Sequence, residues 1–203
     1  MMNKPFSQPF SQSCENNKHA IFAVLKSVFS DTQQVLEVGS GTGQHAVHFA
    51  KHLAHLEWKT SDLTANHAGI NRWLDAAALV NLLPPLNLDL NEPWPVVSVD
   101  GIFTANTLHI VSWPLVIKFL QSAAAHLEQG GNLCIYGPFN YHGQFTSQSN
   151  ADFDIRLKNI DPSRGLRDIE SVVTLANSLG LTLAADHTMP ANNRLLVFMK
   201  VER

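Results

Sequence analysis

The stretch Val35-Leu36-Glu37-Val38-Gly39-Ser40-Gly41-Thr42-Gly43-Gln44-His45 decides how the rest of the chain is read. Residues 35–38 form a short apolar run, which reads as a buried strand. Three alternating glycines end that run, and glycine lets the backbone turn sharply and approach a ligand closely. Ala46, Phe49, Ala50, Leu53 and Leu56 then recur at helical spacing, so residues 45–56 read as an amphipathic helix. Strand, glycine turn and helix together are the unit that opens a parallel α/β sheet, and the helix start points its free amides back at the turn.

Working outward, the same alternation repeats. A helix is expected over 15–29, where Ile21, Phe22, Leu25, Val28 and Phe29 form an apolar stripe. Strands are expected over 57–61, 86–90, 101–105 and 132–136, with helices over 66–79 and 113–127 between them. Gln129-Gly130-Gly131 gives the last of these helices a glycine stop. A further helix is expected over 168–179. The last two strands, 181–186 and 195–201, are joined through Met189-Pro190-Ala191-Asn192-Asn193 without room for a helix, so they read as an antiparallel hairpin closing the sheet. This is an α/β fold of seven strands, mostly parallel, with the last antiparallel and helices on both faces.

Bulk properties narrow the partners. At 203 residues the chain suits one domain, here 15–203 behind a polar N-terminal arm over 1–14 expected to be extended or mobile. The net charge of −3 offers no broad basic surface, so long nucleic acid is not an expected partner. No apolar run is long enough to span a bilayer and the N-terminus lacks a signal-type apolar stretch, so no membrane partner is expected and the cytoplasm is the expected compartment. Cys14 and Cys134 stand far apart, which suits free thiols and gives no metal spacing. His45, His48, His52 and His55 share one flank of the 45–56 helix, but no carboxylate or cysteine joins them, so they read as a partly exposed solvated face and no metal is expected.

Ligands in open α/β sheets lie beyond the carboxyl ends of the strands at the topological switch point. Dinucleotide sites favour G-x-G-x-x-G, with glycines that accommodate a pyrophosphate. This loop is G-x-G-x-G preceded by Glu37, and a carboxylate there suits a cationic ligand better than a pyrophosphate. The pattern E-x-G-x-G-x-G resembles motif I of S-adenosylmethionine-dependent methyltransferases, which makes Glu37, Gly39, Ser40, Gly41 and Gly43 cofactor-binding candidates. Asp62 lies about 20 residues on, at a strand end, where a carboxylate can accept ribose hydroxyls. In methyltransferases of this class an acid placed like Asp89 commonly accepts from the adenine amino group, and the amide of Leu90 reads the ring. Asn106 and His109 follow the fourth strand, beside the expected methionine end. The sequence there is not N-P-P-Y, the signature of nucleic-acid amino-methyltransferases. His109 reads either as a catalytic base or as a structural histidine.

Several further stretches resemble one small group, the uncharacterised methyltransferase-like family of bacteria and animals catalogued as a domain of unknown function. They include Tyr136-Gly137-Pro138-Phe139, Gln148-Ser149-Asn150-Ala151-Asp152-Phe153-Asp154, Gly165-Leu166-Arg167-Asp168 and Met189-Pro190-Ala191-Asn192-Asn193. Where that family usually reads E-R-N-K, this chain has Glu15-Asn16-Asn17-Lys18, so no arginine role carries over. The resemblance implies a Rossmann-like class I methyltransferase fold and S-adenosylmethionine as cofactor, and it implies no particular substrate.

The segment 143–167 is long for a connection inside a domain, and such segments are commonly functional lids. Phe145, Phe153, Ile155, Leu157 and Ile160 give it apolar anchors, so it is expected to be ordered. Asp152, Asp154, Arg167, Asn192 and Asn193 are the substrate-facing candidates, the alternative being that these charges pair with one another. The leading reading is a methyltransferase acting on a small molecule. The other readings are a cofactor-binding protein without transfer activity and an NAD(P)-dependent oxidoreductase.

Overall fold

The computed structural model describes residues 7–96 and 98–202. Its main sheet has seven strands: β1 (Gln34–Val38), β2 (Glu57–Asp62), β3 (Leu82–Asn87), β4 (Val99–Ala105), β5 (Leu127–Gly137), β8 (Leu181–Met189) and β9 (Asn193–Lys200). Their order is β3-β2-β1-β4-β5-β9-β8. The first five are parallel, and β9 inserts antiparallel between β5 and β8. The seven-stranded, mostly parallel sheet with an antiparallel last strand is therefore present. Two two-residue strands, β6 (Phe139–Asn140) and β7 (Arg167–Asp168), pair separately beside it.

Helices α1 (Gln12–Val28), α2 (Gln44–His52) and α3 (Thr64–Ala77) bury Ile21, Phe49 and Ile70 on one face of the sheet. On the other face α4 (Trp113–His126) and α6 (Ile169–Ser178) bury Phe119 and Val172. Trp58 on β2 has no exposed surface and packs against Phe29, Phe49 and Phe103 at ring-centroid distances of 6.5, 5.5 and 5.9 Å. Offset and edge-on aromatic packing of this kind adds to the area term.

Several expected boundaries move for local reasons. The third strand runs over Leu82–Asn87, not 86–90, so Asp89 lies in the turn beyond it. That strand contains Pro84 and Pro85, and its place at the sheet edge tolerates two residues that cannot donate to a ladder. α2 ends at His52, four residues short of the expected 56, because Asn81 reaches in from before β3. Its Nδ2 donates to the carbonyls of Ala50, Leu53 and Leu56 at 3.0, 3.3 and 3.0 Å, which satisfies the open helix end. β5 begins at Leu127, where helix was expected, and bulges through Gly130-Gly131 before pairing regularly from Asn132.

A whole helix, α5 (Gln148–Ile160), stands in the segment read as a polar connection. Ser147 caps it by accepting from the Asn150 amide at 3.2 Å. The described part of the arm is neither free nor separate: α1 starts at Gln12, so the boundary expected after residue 14 falls inside a helix. Residues 7–11 lie on α3, where Trp73 Nε1 donates to the Pro9 carbonyl at 2.7 Å. Residues 1–6 of the expected arm lie outside the described residues. Among the described residues no helix is long and apolar enough to cross a membrane.

Replacing Asn81 with Ala should cost about 1–3 kcal/mol by leaving the carbonyls of Ala50, Leu53 and Leu56, at and just after the end of α2, without this donor. Urea unfolding measures it, and a change under 0.5 kcal/mol, the usual size for an uninvolved surface position, would contradict this reading of the helix end.

Candidate functional site

The glycine loop leaves β1 beside the point where β1 and β4 part, the switch point of the sheet. It is tied down on every side. The amides of Gly39 and Ser40 donate to the Ser61 carbonyl at 3.0 and 2.9 Å, and the Ser61 amide donates back to Ser40 Oγ at 3.1 Å. Gly41 N–H donates to Asp62 Oδ2 at 2.7 Å. Gly39 has φ +77°, and a Cβ there would stand 3.0 Å from Thr107 Oγ1, so only glycine lets the loop lie this close to the end of β4.

A cavity of ≈ 460 Å³ opens against this loop. Gly39, Ser40, Gly41 and Thr42 form one wall and Asp62 another. Asp89, Leu90 and Asn106 also line it. Asp62 Oδ1 accepts from Leu63 N–H and Asn66 Nδ2, which holds the carboxylate at the end of β2. Asp89 Oδ1 accepts the Asn91 amide at 2.8 Å, fixing its turn. Asn106 has φ +60°, a conformation that asparagine adopts more readily than most residues.

Two of the expected loop contacts lie elsewhere. Glu37 is buried behind the loop and does not line the cavity. Its Oε2 accepts from Ser40 Oγ at 2.9 Å and from Trp58 Nε1 at 3.1 Å. Burial pushes its carboxyl up to about 7, against the lowering effect of those two donors. Gly43 faces α3: it has φ +89°, and a Cβ would press on the Ile70 backbone at 3.2 Å. It serves the approach of two helices. Sequence reasoning missed the contribution of α1 and of His45. Ser11, Cys14 and His45 all line the cavity, and His45 is buried, with Nε2 2.6 Å from Asn17 Oδ1. The histidine flank is therefore not a uniform solvated face, and His55 lies beyond the helix, bonded to the Phe29 carbonyl. Among the described residues no cluster suited to a metal occurs.

A second cavity of ≈ 580 Å³ shares Ser11, Asn106 and Ile110 with the first. His109 lines it, is 5% exposed, and has no hydrogen-bond partner for its ring among the described residues. Its ring packs edge-on against Phe153 of α5 at 5.2 Å. Burial, with the Arg167 cation nearby, pushes the imidazole down to about 4, so it is neutral at pH 7.

Of the five expected substrate-facing residues, only Asn193 lines this cavity. Asp154 is buried, paired with Lys158 at 2.6 Å, and accepts the Leu166 amide at 2.8 Å. Asp152 bonds Gln148 along the helix surface. Arg167 donates to the carbonyls of Leu108, Val111 and Ser163, while Gly165 N–H donates to the His109 carbonyl at 3.0 Å. Arg167 thus clamps the loop that carries His109. Asn192 contributes only its carbonyl, to Asn150 Nδ2 at 3.2 Å. The charges of this segment pair locally, and it is the neutral residues Ser149, Asn150 and Phe153 of α5 that reach the cavity.

Residues 8–200 match the family described as "Protein of unknown function (DUF938)". The chain belongs to that family. Solved structures similar to it include several O-methyltransferases. An O-methyltransferase family 2 protein from Planctomyces limnophilus, in complex with apigenin, superposes with a TM-score of 0.82 at 17% identity over 93% of this chain and 58% of its own. An O-methyltransferase family protein from Burkholderia thailandensis gives 0.81 at 16% identity, over 91% and 56%. NcsB1, an O-methyltransferase from neocarzinostatin biosynthesis bound to S-adenosylmethionine and 2-hydroxy-5-methyl naphthoic acid, gives 0.78 at 17%, over 93% and 55%. At these identities the likeness establishes the methyltransferase fold. The chain spans a little over half the length of the structures it matches.

The Glu37 carboxyl yields a test. Its raised value means the folded protein holds a proton there that the unfolded chain releases near 4.5. That contribution to stability is complete below 4.5 and lost as pH rises through about 7. Glu37→Gln, which keeps the acceptor oxygen, should raise Tm at pH 8.5 and leave it nearly unchanged at pH 5. A drop at both pH values would refute the assignment.

Proposed function

We propose that this chain is an S-adenosylmethionine-dependent methyltransferase that transfers a methyl group to a hydroxyl of a small molecule. One observation carries the reading: two cavities meet at Asn106, one against the glycine loop and one against an unpartnered buried imidazole. The first suits the cofactor. The lone pair that Asp62 Oδ2 has left would accept a ribose hydroxyl, Asp89 and the Leu90 amide would take the adenine, and the loop backbone would take the methionine end with Asn106 beside it. The chemistry of the lining suits this group, since two carboxylates border a cavity otherwise built of backbone and neutral side chains. When bound, S-adenosylmethionine supplies an electrophilic methyl on a sulfonium.

The protein's own work is positioning and exclusion of water. α1 and α5 line the second cavity, and the Arg167 clamp fixes the loop that carries His109 beside it. His109 accepts the hydroxyl proton as the oxygen gains its new carbon. Oxygen becomes strongly acidic at that moment, so a base near 4 is strong enough, and its neutrality at pH 7 keeps it ready. The similarity to small-molecule O-methyltransferases supports oxygen as the acceptor atom.

Calorimetry with S-adenosylhomocysteine and with NAD tests the cofactor, and binding of NAD alone would overturn the proposal. Tight S-adenosylhomocysteine binding without transfer across a hydroxylated metabolite panel would favour a binding protein. With an acceptor in hand, His109→Gln should lower kcat about 100-fold with unchanged S-adenosylhomocysteine affinity. Turnover should be flat from pH 6 to 8 and fall as pH drops through about 4. A basic-limb loss near neutrality with no acid limb would remove His109 from the role.

A further inference from the structure

The second cavity carries information about charge. Its fifteen lining residues include no aspartate, glutamate, lysine or arginine. Five asparagines, three serines, Tyr136 and His109 supply its polar surface. Tyr136 and Asn150 are buried, and His109 is held neutral by its burial. Phe153, Pro138, Pro190 and Ile110 add flat apolar surface between these groups.

Each charge in the neighbourhood is answered by something else. Glu15 pairs with Lys18 and accepts from Gln44. Arg194 pairs with Asp186 at 2.7 Å. Asp154 pairs with Lys158, and Arg167 spends its donors on three backbone carbonyls. Arg156 lies over the Phe153 ring, 5.7 Å from its centroid, and is not part of the lining. A charged group entering this cavity would lose its hydration and find no counter-charge, which is costly.

Open hydrogen-bonding capacity does remain. The Asn106 side chain and the His109 ring have no partner among the described residues, and Asn150 spends only its Nδ2, on Thr146 and the Asn192 carbonyl. These are groups that recognise hydroxyls and amides without demanding charge. Leaving such groups unpaired is what lets a site reject an analogue that cannot bond them.

From these observations we infer that the acceptor is an uncharged, hydroxylated ring compound, bound flat between Phe153 and the proline-lined wall with its hydroxyl towards His109 and Asn106. The inference rests on the methyltransferase reading of the same site and adds the charge and shape of the substrate class.

The test uses the full chain saturated with S-adenosylhomocysteine, whose own binding is measured first by calorimetry. Failure at that step overturns the parent reading. Sets of hydroxylated rings matched in shape are then compared by saturation-transfer NMR, for example methyl 4-hydroxybenzoate, 4-hydroxybenzoate and tyramine. The neutral member of each set should bind about tenfold more tightly than either charged one. Equal or better binding of a charged member, or no binding by any set, overturns the inference while leaving the cofactor result standing. Ser149→Asp, at the cavity rim in the first turn of α5, should improve the cationic member about threefold and weaken the anionic one. No change in that variant would place the ligands elsewhere and overturn the assignment to this cavity.

Discussion

Everything at the candidate site depends on how the glycine loop is held to the end of β2. A buried carboxyl, Glu37, accepts from Ser40 inside the loop and from Trp58 in the neighbouring strand. Ser61 then locks the same loop from below, with its carbonyl receiving two loop amides and its hydroxyl donating to the Glu37 carbonyl at 2.6 Å. Buried polar groups cost free energy unless each is satisfied, and this network satisfies them reciprocally. The loop can therefore keep three glycines in left-handed conformations without wandering. Asp62, one residue beyond Ser61, inherits its position from that lock.

The second cavity is assembled differently. No single element owns it: α1, the loop after β4, the end of β5, α5 and the β8–β9 turn each contribute. They are joined by a few long-range bonds. Arg167 ties the β4 loop to the chain after α5, Asn150 ties α5 to the β8–β9 turn, and Gln44 ties α2 to the start of α1 through Ser11 and Glu15. Asp154 and Arg167 act on this region through the framework they build, without lining the cavity themselves.

Much of the fold was legible in the chain. Local patterns dictate it: the apolar runs of β1 and β4, the helical stripe of α1 and the short link between β8 and β9, which has no room for an α-helix. The glycines expected to stop α4 instead lie inside β5. Asp62, Asp89, Leu90 and Asn106 could be brought together because each lies at or just beyond a strand end, and strand ends converge in a parallel sheet. α5 was missed because its apolar residues are few and its first turn is polar; it is held by a serine cap, by Phe153 packed on His109, and by the bonds of Asn150 to the Asn192 carbonyl and of Asp154 to the Leu166 amide. The third strand was displaced because two prolines hide a strand that only an edge position permits.

The sequence by itself determined the sheet, its closing hairpin and the glycine loop at the switch point, because those follow from residue periodicity and backbone conformation. The tertiary structure alone decided what each polar side chain does. It gave Glu37 and Gly43 supporting places behind the loop, brought Ser11 and His45 to the cavity wall, and left Asp152, Asp154, Arg167 and Asn192 outside the lining of the second cavity. The physical reason is that a side chain's partner, burial and charge state depend on neighbours far apart in the chain, and no local pattern records them.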